Sequence, residues 1–209
     1  AFFEHDNCLY LIDCGESTFK AMFSRNEIYD YDNIVVLLTH LHADHIGSLG
    51  SFLSFCKNVL DKKVLLAAEE DTIVNILDQS GVHTDKYNFT TDFKECEADG
   101  LSIYVKRESH ATDMLCCGFI FECNGEKIYY SGDTSNVPSD ILNAFLSGEI
   151  KTMYQECTFL DKDSTSHFSL KKLCEIIPYE ERKRVYCMHL GDDIEDDIVK
   201  AGFRVPKVV

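Results

Sequence analysis

One short run constrains this chain more than any other feature: Thr39-His40-Leu41-His42-Ala43-Asp44-His45. It follows residues 33–39, a nearly unbroken apolar segment of the kind that forms a strand covered on both faces. From Asp44 onward apolar residues recur at helical spacing, so the run is predicted to join a buried strand to a helix. The loop of such a junction can direct several side chains to one point beyond the edge of the sheet.

Three of the eight histidines of the chain lie in this window. The alternation of His40 and His42 places two imidazoles on the same side of an extended segment. Asp44 and His45 then point elsewhere, which suits a second metal ion a few ångströms away. A helix-start loop with incidental histidines is the alternative, and the concentration of histidine in one window argues against it. The run therefore predicts a metal centre with two ions.

The rest of the chain alternates short strands with amphipathic helices, which is typical of an α/β protein. Asn124-Gly125 separates residues 119–123 from residues 127–130 and predicts a β-hairpin. Further strands are expected at residues 7–13, 63–67, 101–105, 152–157 and 184–188. Helices are expected at residues 44–56, 73–77, 139–146, 170–177 and 194–201. No Pro, Gly or Ser-rich stretch suggests a linker, so residues 1–209 are predicted to form one domain.

The formal net charge of −16 argues against long nucleic acid as a partner, because such binding neutralises many phosphates with Lys and Arg. The basic cluster Arg182-Lys183-Arg184, with Lys171-Lys172 nearby, is interpreted as solvated surface. A small anionic substrate stays compatible with this charge if bound metal supplies positive charge. No apolar run is long enough to cross a bilayer, so no membrane association is expected. The ten cysteines contain no Cys-x-x-Cys pair, which favours reduced core thiols in a cytoplasmic protein over disulfides in a secreted one.

The His-x-His-x-Asp-His motif in residues 40–45 is intact, and through it the chain resembles the metallo-β-lactamase superfamily. The resemblance implies a four-layer αβ/βα sandwich, with a third ligand histidine after a later strand, a bridging aspartate after a hairpin and a last histidine at the end of a late strand. His110, Asp133 and His189 occupy these positions in order. The implied ligands are His40, His42, His110 and Asp133 for one metal ion, and Asp44, His45, Asp133 and His189 for the other. Two Zn²⁺ ions suit these imidazoles and carboxylates, and Mn²⁺ or Fe would also accept them.

Further segments are similar to motifs of the tRNase Z branch of this superfamily. They are Asp13-Cys14-Gly15-Glu16-Ser17-Thr18, Gln155-Glu156-Cys157-Thr158-Phe159 and Ser166-His167-Phe168-Ser169. The resemblance implies that Glu156 and His167 form a catalytic pair beside the metals; otherwise they are a strand-end acid and a helix-entry residue. It also implies that Asp13 orients a ligand loop, although a turn residue explains it equally well. His5 and His83 fit no motif position.

The branch implies a dinuclear phosphodiesterase. A metal-bridging hydroxide, oriented by the metal ligand Asp44, would attack phosphorus in line, and His167 supported by Glu156 would protonate the leaving oxygen. Only 22 residues (111–132) separate His110 from Asp133, which leaves no room for the arm that grips tRNA in bacterial tRNase Z enzymes. Anti-defence enzymes that degrade cyclic nucleotides resemble tRNase Z enzymes without this arm. The leading expectation is therefore a small nucleotide substrate such as a cyclic nucleotide.

Other functions stay open on the sequence alone. The same metal centre could serve a tRNA 3′-processing endonuclease, or a hydrolase of thioesters, lactones or β-lactams. A redox or sensor module like the flavodiiron proteins would require iron and usually a carboxylate in place of one histidine, so His42 and His110 argue against it. A binding domain without activity is disfavoured by the complete ligand set. The resemblance also implies a homodimer.

Overall fold

A computed structural model describes residues 1–24, 26–161, 166–190 and 193–207 of the chain. The chain divides into two compact units, Ala1–Leu101 and Ser102–Val209. Two five-stranded sheets are present, one for each unit. No helix in these described ranges is long and apolar enough to cross a membrane. The single domain over residues 1–209 stays a prediction.

In the part of the first unit that the structure describes, one sheet is combined with four α-helices. Its strands are β1 (Phe2–His5), β2 (Cys8–Ile12), β3 (Asn33–Leu37), β4 (Val64–Ala67) and β5 (Tyr87–Thr90). Its helices are α1 (Thr18–Ser24), α2 (Ala43–Ile46), α3 (Leu49–Leu60) and α4 (Thr72–Gln79). The sheet order is β1-β2-β3-β4-β5, with β1 antiparallel to β2 and the remaining pairs parallel.

The apolar run before the histidines forms β3 at the centre of this sheet, as predicted. All but its first residue are buried, so both faces of the strand are covered, and parallel neighbours pair with both of its edges. Ile34 and Val36 pack into one hydrophobic core with Phe52 and Leu53 of α3. This packing fixes the strand whose carboxyl end carries the histidine run.

The helix expected from Asp44 through Cys56 is two helices, α2 and α3, and this part of the prediction is wrong. The segment after β2 holds the junction between them. Cys14 N donates to the His45 carbonyl at 2.7 Å, and Ser48 N donates to the Cys14 carbonyl at 3.1 Å. These hydrogen bonds divert the backbone at Gly47 and Ser48, which the apolar spacing could not indicate.

The described residues of the second unit contain the other sheet and three α-helices. Its strands are β6 (Leu101–Arg107), β7 (Cys117–Cys123), β8 (Glu126–Tyr130), β9 (Ile150–Glu156) and β10 (Val185–Met188). Its helices are α5 (Ser139–Leu146), α6 (Leu170–Ile176) and α7 (Glu195–Lys200). The sheet order is β10-β9-β8-β7-β6. Strands β8, β9 and β10 run parallel to one another, so their carboxyl ends lie at one edge.

The hairpin predicted at Asn124-Gly125 is present between β7 and β8. Both turn residues have positive φ, 52° for Asn124 and 79° for Gly125, as a tight turn of this kind requires. This hairpin and its flanking loops fill the interval between His110 and Asp133. Every residue of that interval is described, and no arm extends from it.

Candidate metal-binding site

The four predicted ligands of the histidine run lie just beyond the carboxyl end of β3. His40 and His45 are buried, His42 is half-buried and Asp44 is exposed. His40 Nε2 lies 2.9 Å from His42 Nδ1, and His45 Nε2 lies 3.6 Å from Asp44 Oδ2. The donor atoms therefore come as two pairs, one of two imidazoles and one of an imidazole and a carboxylate.

The carboxylate of Asp13 holds this run from the end of β2. Oδ1 accepts a hydrogen bond from Thr39 N at 2.8 Å, and Oδ2 accepts one from Thr39 Oγ1 at 2.8 Å. Oδ2 also lies 2.8 Å from His45 Nδ1. Since an ionised carboxylate only accepts, Nδ1 of His45 carries the proton and Nε2 keeps the lone pair that a metal ion needs. This geometry fits the expectation that Asp13 orients a ligand loop.

Gly15 lets the backbone of the same loop pack directly against the backbone of the histidine run. A Cβ at this position would lie 1.9 Å from the carbonyl oxygen of Asp44, far inside any contact distance between real atoms. The Gly15 carbonyl also accepts a hydrogen bond from Ser48 Oγ at 2.5 Å. Only glycine allows the two backbones to approach this closely.

In the second unit, three strand ends carry the later predicted ligands. His110 follows β6, Asp133 follows β8, and His189 follows β10 with a φ of 55°. Asp133 Oδ2 lies 3.7 Å from His110 Nε2 and 3.6 Å from His189 Nε2. Two ligands on one tetrahedral Zn²⁺ ion, with bonds of about 2.1 Å, have donor atoms about 3.4 Å apart. The spacing around Asp133 is therefore close to what shared coordination requires.

Glu156 and His167 form the pair that the tRNase Z resemblance implies. The Glu156 side chain is 1% exposed, and its Oε2 lies 2.7 Å from His167 Nδ1. Its Oε1 accepts hydrogen bonds from Thr134 N at 2.8 Å and from Phe168 N at 3.1 Å. These contacts occupy the carboxylate on both oxygens and fix its orientation towards His167.

The donor set of this unit fits a divalent metal ion. Asp133, Glu156, His167 and His189 each offer one ligand atom, and these atoms lie within 4.8 Å of one another. A mixture of imidazole and carboxylate donors suits Zn²⁺, Mn²⁺ or Fe. Within this set, Glu156 Oε2 and His167 Nδ1 contact each other, which agrees with the expected pair beside the metal ion.

Residues that the sequence did not indicate surround the loops of His110 and Asp133. Tyr129 is fully buried, and its hydroxyl donates to Glu108 Oε1 at 2.6 Å. Burial raises the pKa of Glu108 to about 7, although hydrogen bonds with Tyr129 and Thr134 act in the opposite direction. No motif or spacing marks these residues, because their contact forms only when β6, β7 and β8 assemble.

Two histidines and two arginines outside the motifs have structural partners. His5 Nε2 lies 2.7 Å from the Asp99 carbonyl oxygen, and His83 Nδ1 lies 2.6 Å from Asp78 Oδ1. In the basic cluster that was interpreted as solvated surface, Arg182 donates to the carbonyls of Cys174, Ile177 and Ala201. Arg184 likewise donates to the carbonyls of Phe145, Ile150 and Lys151. Both guanidinium groups thus hold backbone within the second unit.

The ten cysteines are all thiols, and eight of them are buried. Burial is the main cause that raises the pKa of Cys56 and Cys96 to about 12. A thiol with this pKa is almost entirely protonated at neutral pH and is therefore unreactive. These cysteines act as small apolar side chains, as the sequence predicted.

Comparison with known proteins finds one matching protein family and relatives that carry the same description. The model of the family described as Anti-Pycsar protein Apyc1 matches residues 1–205. The Anti-Pycsar protein Apyc1 of Bacillus phage BSP38 is 28% identical over 218 residues, which cover 92% of this chain and 81% of the phage protein.

Solved structures give the fold. The metallo-β-lactamase fold protein YhfI from Bacillus subtilis aligns with a TM-score of 0.73 at 18% identity, covering 99% of this chain and 87% of YhfI. The short form of human tRNase Z aligns with a TM-score of 0.63 at 19% identity, covering 90% of this chain and 84% of that enzyme. The predicted metallo-β-lactamase fold is therefore confirmed.

Proposed function

Since the chain belongs to the Anti-Pycsar protein Apyc1 family, we propose that it hydrolyses a phosphodiester bond of a small cyclic nucleotide. Family membership confirms the predicted resemblance to armless anti-defence relatives and the prediction of a metal-dependent hydrolase. The observation that carries the proposal is the buried Glu156 carboxylate 2.7 Å from His167, next to Asp133. Such a pair serves the expulsion of an alkoxide, which phosphodiester hydrolysis requires.

The proposed centre holds two metal ions, and Zn²⁺ is the favoured metal. The proposed ligands are His40, His42, His110 and Asp133 for one ion, and Asp44, His45, Asp133 and His189 for the other. When bound, such ions supply a nucleophile at neutral pH and positive charge for the non-bridging oxygens of the phosphate. Asp13 supports this assignment, because its contact with His45 Nδ1 leaves Nε2 available as a donor.

The protein's own contribution to the leaving group is a proton from His167. Glu156 accepts from the Nδ1 side of the ring, so Nε2–H of the imidazolium is left to give its proton to the departing oxygen. The His167 side chain is 35% exposed, whereas Glu156 is 1% exposed. The acid is thus accessible to substrate while the group that orients it is not.

A small substrate is supported by charge and by the chain between the ligands. The net charge of −16 disfavours a long polyanion, which would need many cationic contacts. Residues 111–132 hold a compact hairpin with no arm. Arg182 and Arg184 are the strongest candidates for cationic contacts with a polyanion, but both bind backbone carbonyls of their own unit. A tRNA 3′-processing activity is accordingly the weaker alternative.

We also propose a cytoplasmic location and a homodimer. Ten thiols and no disulfide among the described cysteines are what a reducing compartment favours. The homodimer follows from the resemblance to tRNase Z enzymes, which pair face to face. Gel filtration with light scattering measures that state directly.

The function is tested by incubating metal-loaded protein with separate cyclic mononucleotides, a linear dinucleotide, a precursor tRNA, a thioester, a lactone and a β-lactam. We expect ring opening of at least one cyclic nucleotide to a linear monophosphate. We expect His167→Ala to lower kcat on that substrate by about 10²- to 10⁴-fold, the range of a positioned general acid. Cleavage of an acyl compound without cleavage of any phosphodiester would reverse the proposal.

The matched control is His83→Ala. His83 contacts a carboxylate at 2.6 Å, much as His167 does, but on the exposed surface beyond the end of α4. We expect its kcat to equal that of the wild type. Bis-p-nitrophenyl phosphate adds a second control, because its good leaving group needs little protonation and its hydrolysis should fall less in His167→Ala.

A further inference from the structure

Glu108 lies one residue beyond β6, at the start of the loop that carries His110. Its backbone N–H donates to the Cys116 carbonyl at 2.9 Å, which closes that loop at its base. Its side chain reaches Tyr129 on β8, whose hydroxyl donates to Oε1 at 2.6 Å. Strand β7 lies between β6 and β8 in the sheet. This hydrogen bond therefore spans a whole strand.

Further hydrogen bonds join the loop of His110 to the loop of Asp133. Ser135 donates to the Ser109 carbonyl twice, from N at 2.6 Å and from Oγ at 2.7 Å. All of these contacts use residues beside the two proposed ligands. His110 and Asp133 themselves keep their facing atoms, Nε2 and Oδ2, 3.7 Å apart.

Loss of the hydrogen bond from Tyr129 to Glu108 would destabilise the protein, because the Tyr129 side chain is buried in a hydrophobic core. Tyr129 is 0% exposed and belongs to a hydrophobic core with Ile141, Phe145 and Met153. A buried phenol needs an acceptor, and the Glu108 carboxylate is that acceptor. The core thus fixes Tyr129, and Tyr129 fixes the loop that follows β6.

We infer that Glu108 and Tyr129 are positioning residues, which set the distance between His110 and Asp133 and thereby the metal affinity of the site. The inference rests on the proposed ligand set. His110 is oriented separately, since its Nδ1 lies 2.8 Å from the Ser166 carbonyl oxygen. What remains to be fixed is the placement of the whole loop, and the hydrogen bond between Glu108 and Tyr129 fixes it against the buried core side of β8.

The test is the affinity of metal-free protein for Zn²⁺, measured by competition with a chelating dye. We expect Tyr129→Phe, which removes only the hydroxyl, to weaken Zn²⁺ binding by about 10- to 100-fold, as loss of a group that supports a ligand does. We expect Glu108→Ala to weaken it by a similar factor. Glu108→Gln keeps an acceptor for Tyr129 and should retain most of the affinity.

Tyr87→Phe is the matched control. Tyr87 is also buried, but its hydroxyl has no hydrogen-bond partner in the described part of the chain. Its removal should leave Zn²⁺ affinity unchanged. A double variant Glu108→Ala/Tyr129→Phe should bind no more weakly than either single variant, because both substitutions break one shared interaction.

Three results would overturn the inference. The first is Zn²⁺ affinity within about twofold of wild type in Tyr129→Phe, whatever its thermal stability. The second is full additivity of the two losses in the double variant. Should Tyr129→Phe fail to fold, equal losses in Glu108→Gln and Glu108→Ala would be the third. Wild-type protein that binds no Zn²⁺ would instead overturn the proposed metal centre itself, which separates the two failures.

Discussion

At the scale of single residues, the histidine run owes its geometry to residues far from it in sequence. Asp13 bonds both Thr39 and His45, and Gly15 brings its backbone against that of Asp44. Imidazole rings on a loop are free to rotate unless a second group holds them. Because residues 13–15 close the loop from the end of β2, the ligands are held before any metal ion arrives.

Gly15→Ala tests this support without touching a ligand. The added Cβ would collide with the Asp44 carbonyl oxygen at 1.9 Å, so the run has to move by more than an ångström. We expect Zn²⁺ affinity to fall by at least about tenfold, the lower bound for disturbing the groups that orient ligands. Isothermal titration calorimetry on metal-free protein measures it.

The control for that variant is Gly50→Ala. A Cβ on Gly50 comes closest to the tip of the Val82 side chain, at 3.3 Å, and lies at ordinary contact distance from the side chains of Ser80 and Leu77. Alanine also suits the helix α3 in which Gly50 lies. Its Zn²⁺ affinity should match the wild type. Equal affinity of Gly15→Ala and Gly50→Ala would contradict the role assigned to residues 13–15.

The motif residues could be predicted because each motif places metal-binding or acid–base side chains at a fixed spacing within one short segment of the chain. His40, His42 and Asp44 follow a recognisable strand, and Glu156 lies in a second motif. Glu108 and Tyr129 could not be predicted, because they are 21 positions apart and meet only across β7. Sequence patterns report local periodicity, whereas such contacts depend on which strands become neighbours.

At the scale of elements, the parallel strands of the second unit explain why residues distant in sequence meet. Asp133, Glu156 and His189 stand at or just beyond the carboxyl ends of β8, β9 and β10. The hairpin and the helices α5 and α6 were predictable from turn residues and apolar periodicity. Strands β1 and β5 and helix α1 were not, since each is short and α1 buries a single residue, Met22. Short elements depend on tertiary packing more than on their own pattern.

Helix α6 offers a prediction at this scale, because it begins three residues after His167. Ser169 is the N-cap, and its hydroxyl accepts a hydrogen bond from Lys172 N at 3.2 Å. Ser169→Ala should cost about 1 kcal/mol of unfolding free energy. For a chain of this size that loss lowers Tm by about 2–4 °C. Differential scanning calorimetry measures the change.

Ser147→Ala serves as the comparison. Ser147 lies at the C-terminal end of α5, and its hydroxyl donates to the Ala144 carbonyl in an exposed position. We expect its Tm to stay within about 1 °C of wild type, as for most surface substitutions. A Tm for Ser169→Ala as high as that of Ser147→Ala would show that the cap contributes nothing.

At the scale of the whole molecule, the distribution of charge makes bound metal a stabilising ligand. The chain carries a net charge of −16, and the proposed centre adds buried carboxylates that are 2% exposed at Asp133 and 1% exposed at Glu156. Buried negative charge is costly unless cations or hydrogen bonds offset it. Divalent ions bound at this centre would supply positive charge next to these buried carboxylates, where uncompensated negative charge costs the most.

Removal of metal should therefore lower the thermal stability of the protein. A ligand at 100 to 1,000 times its Kd stabilises the folded state by about 2.7–4.1 kcal/mol, and each kcal/mol corresponds to about 2–4 °C for a chain of this size. We expect Tm to fall by about 5–16 °C when a chelator strips Zn²⁺ from the protein, and to recover when Zn²⁺ is restored. The variant His40→Ala/His42→Ala should show a smaller shift, since it keeps only part of the ligand set. The same shift in both proteins would mean that metal stabilises the fold at a different place, because stabilisation by a ligand reports the site at which it binds.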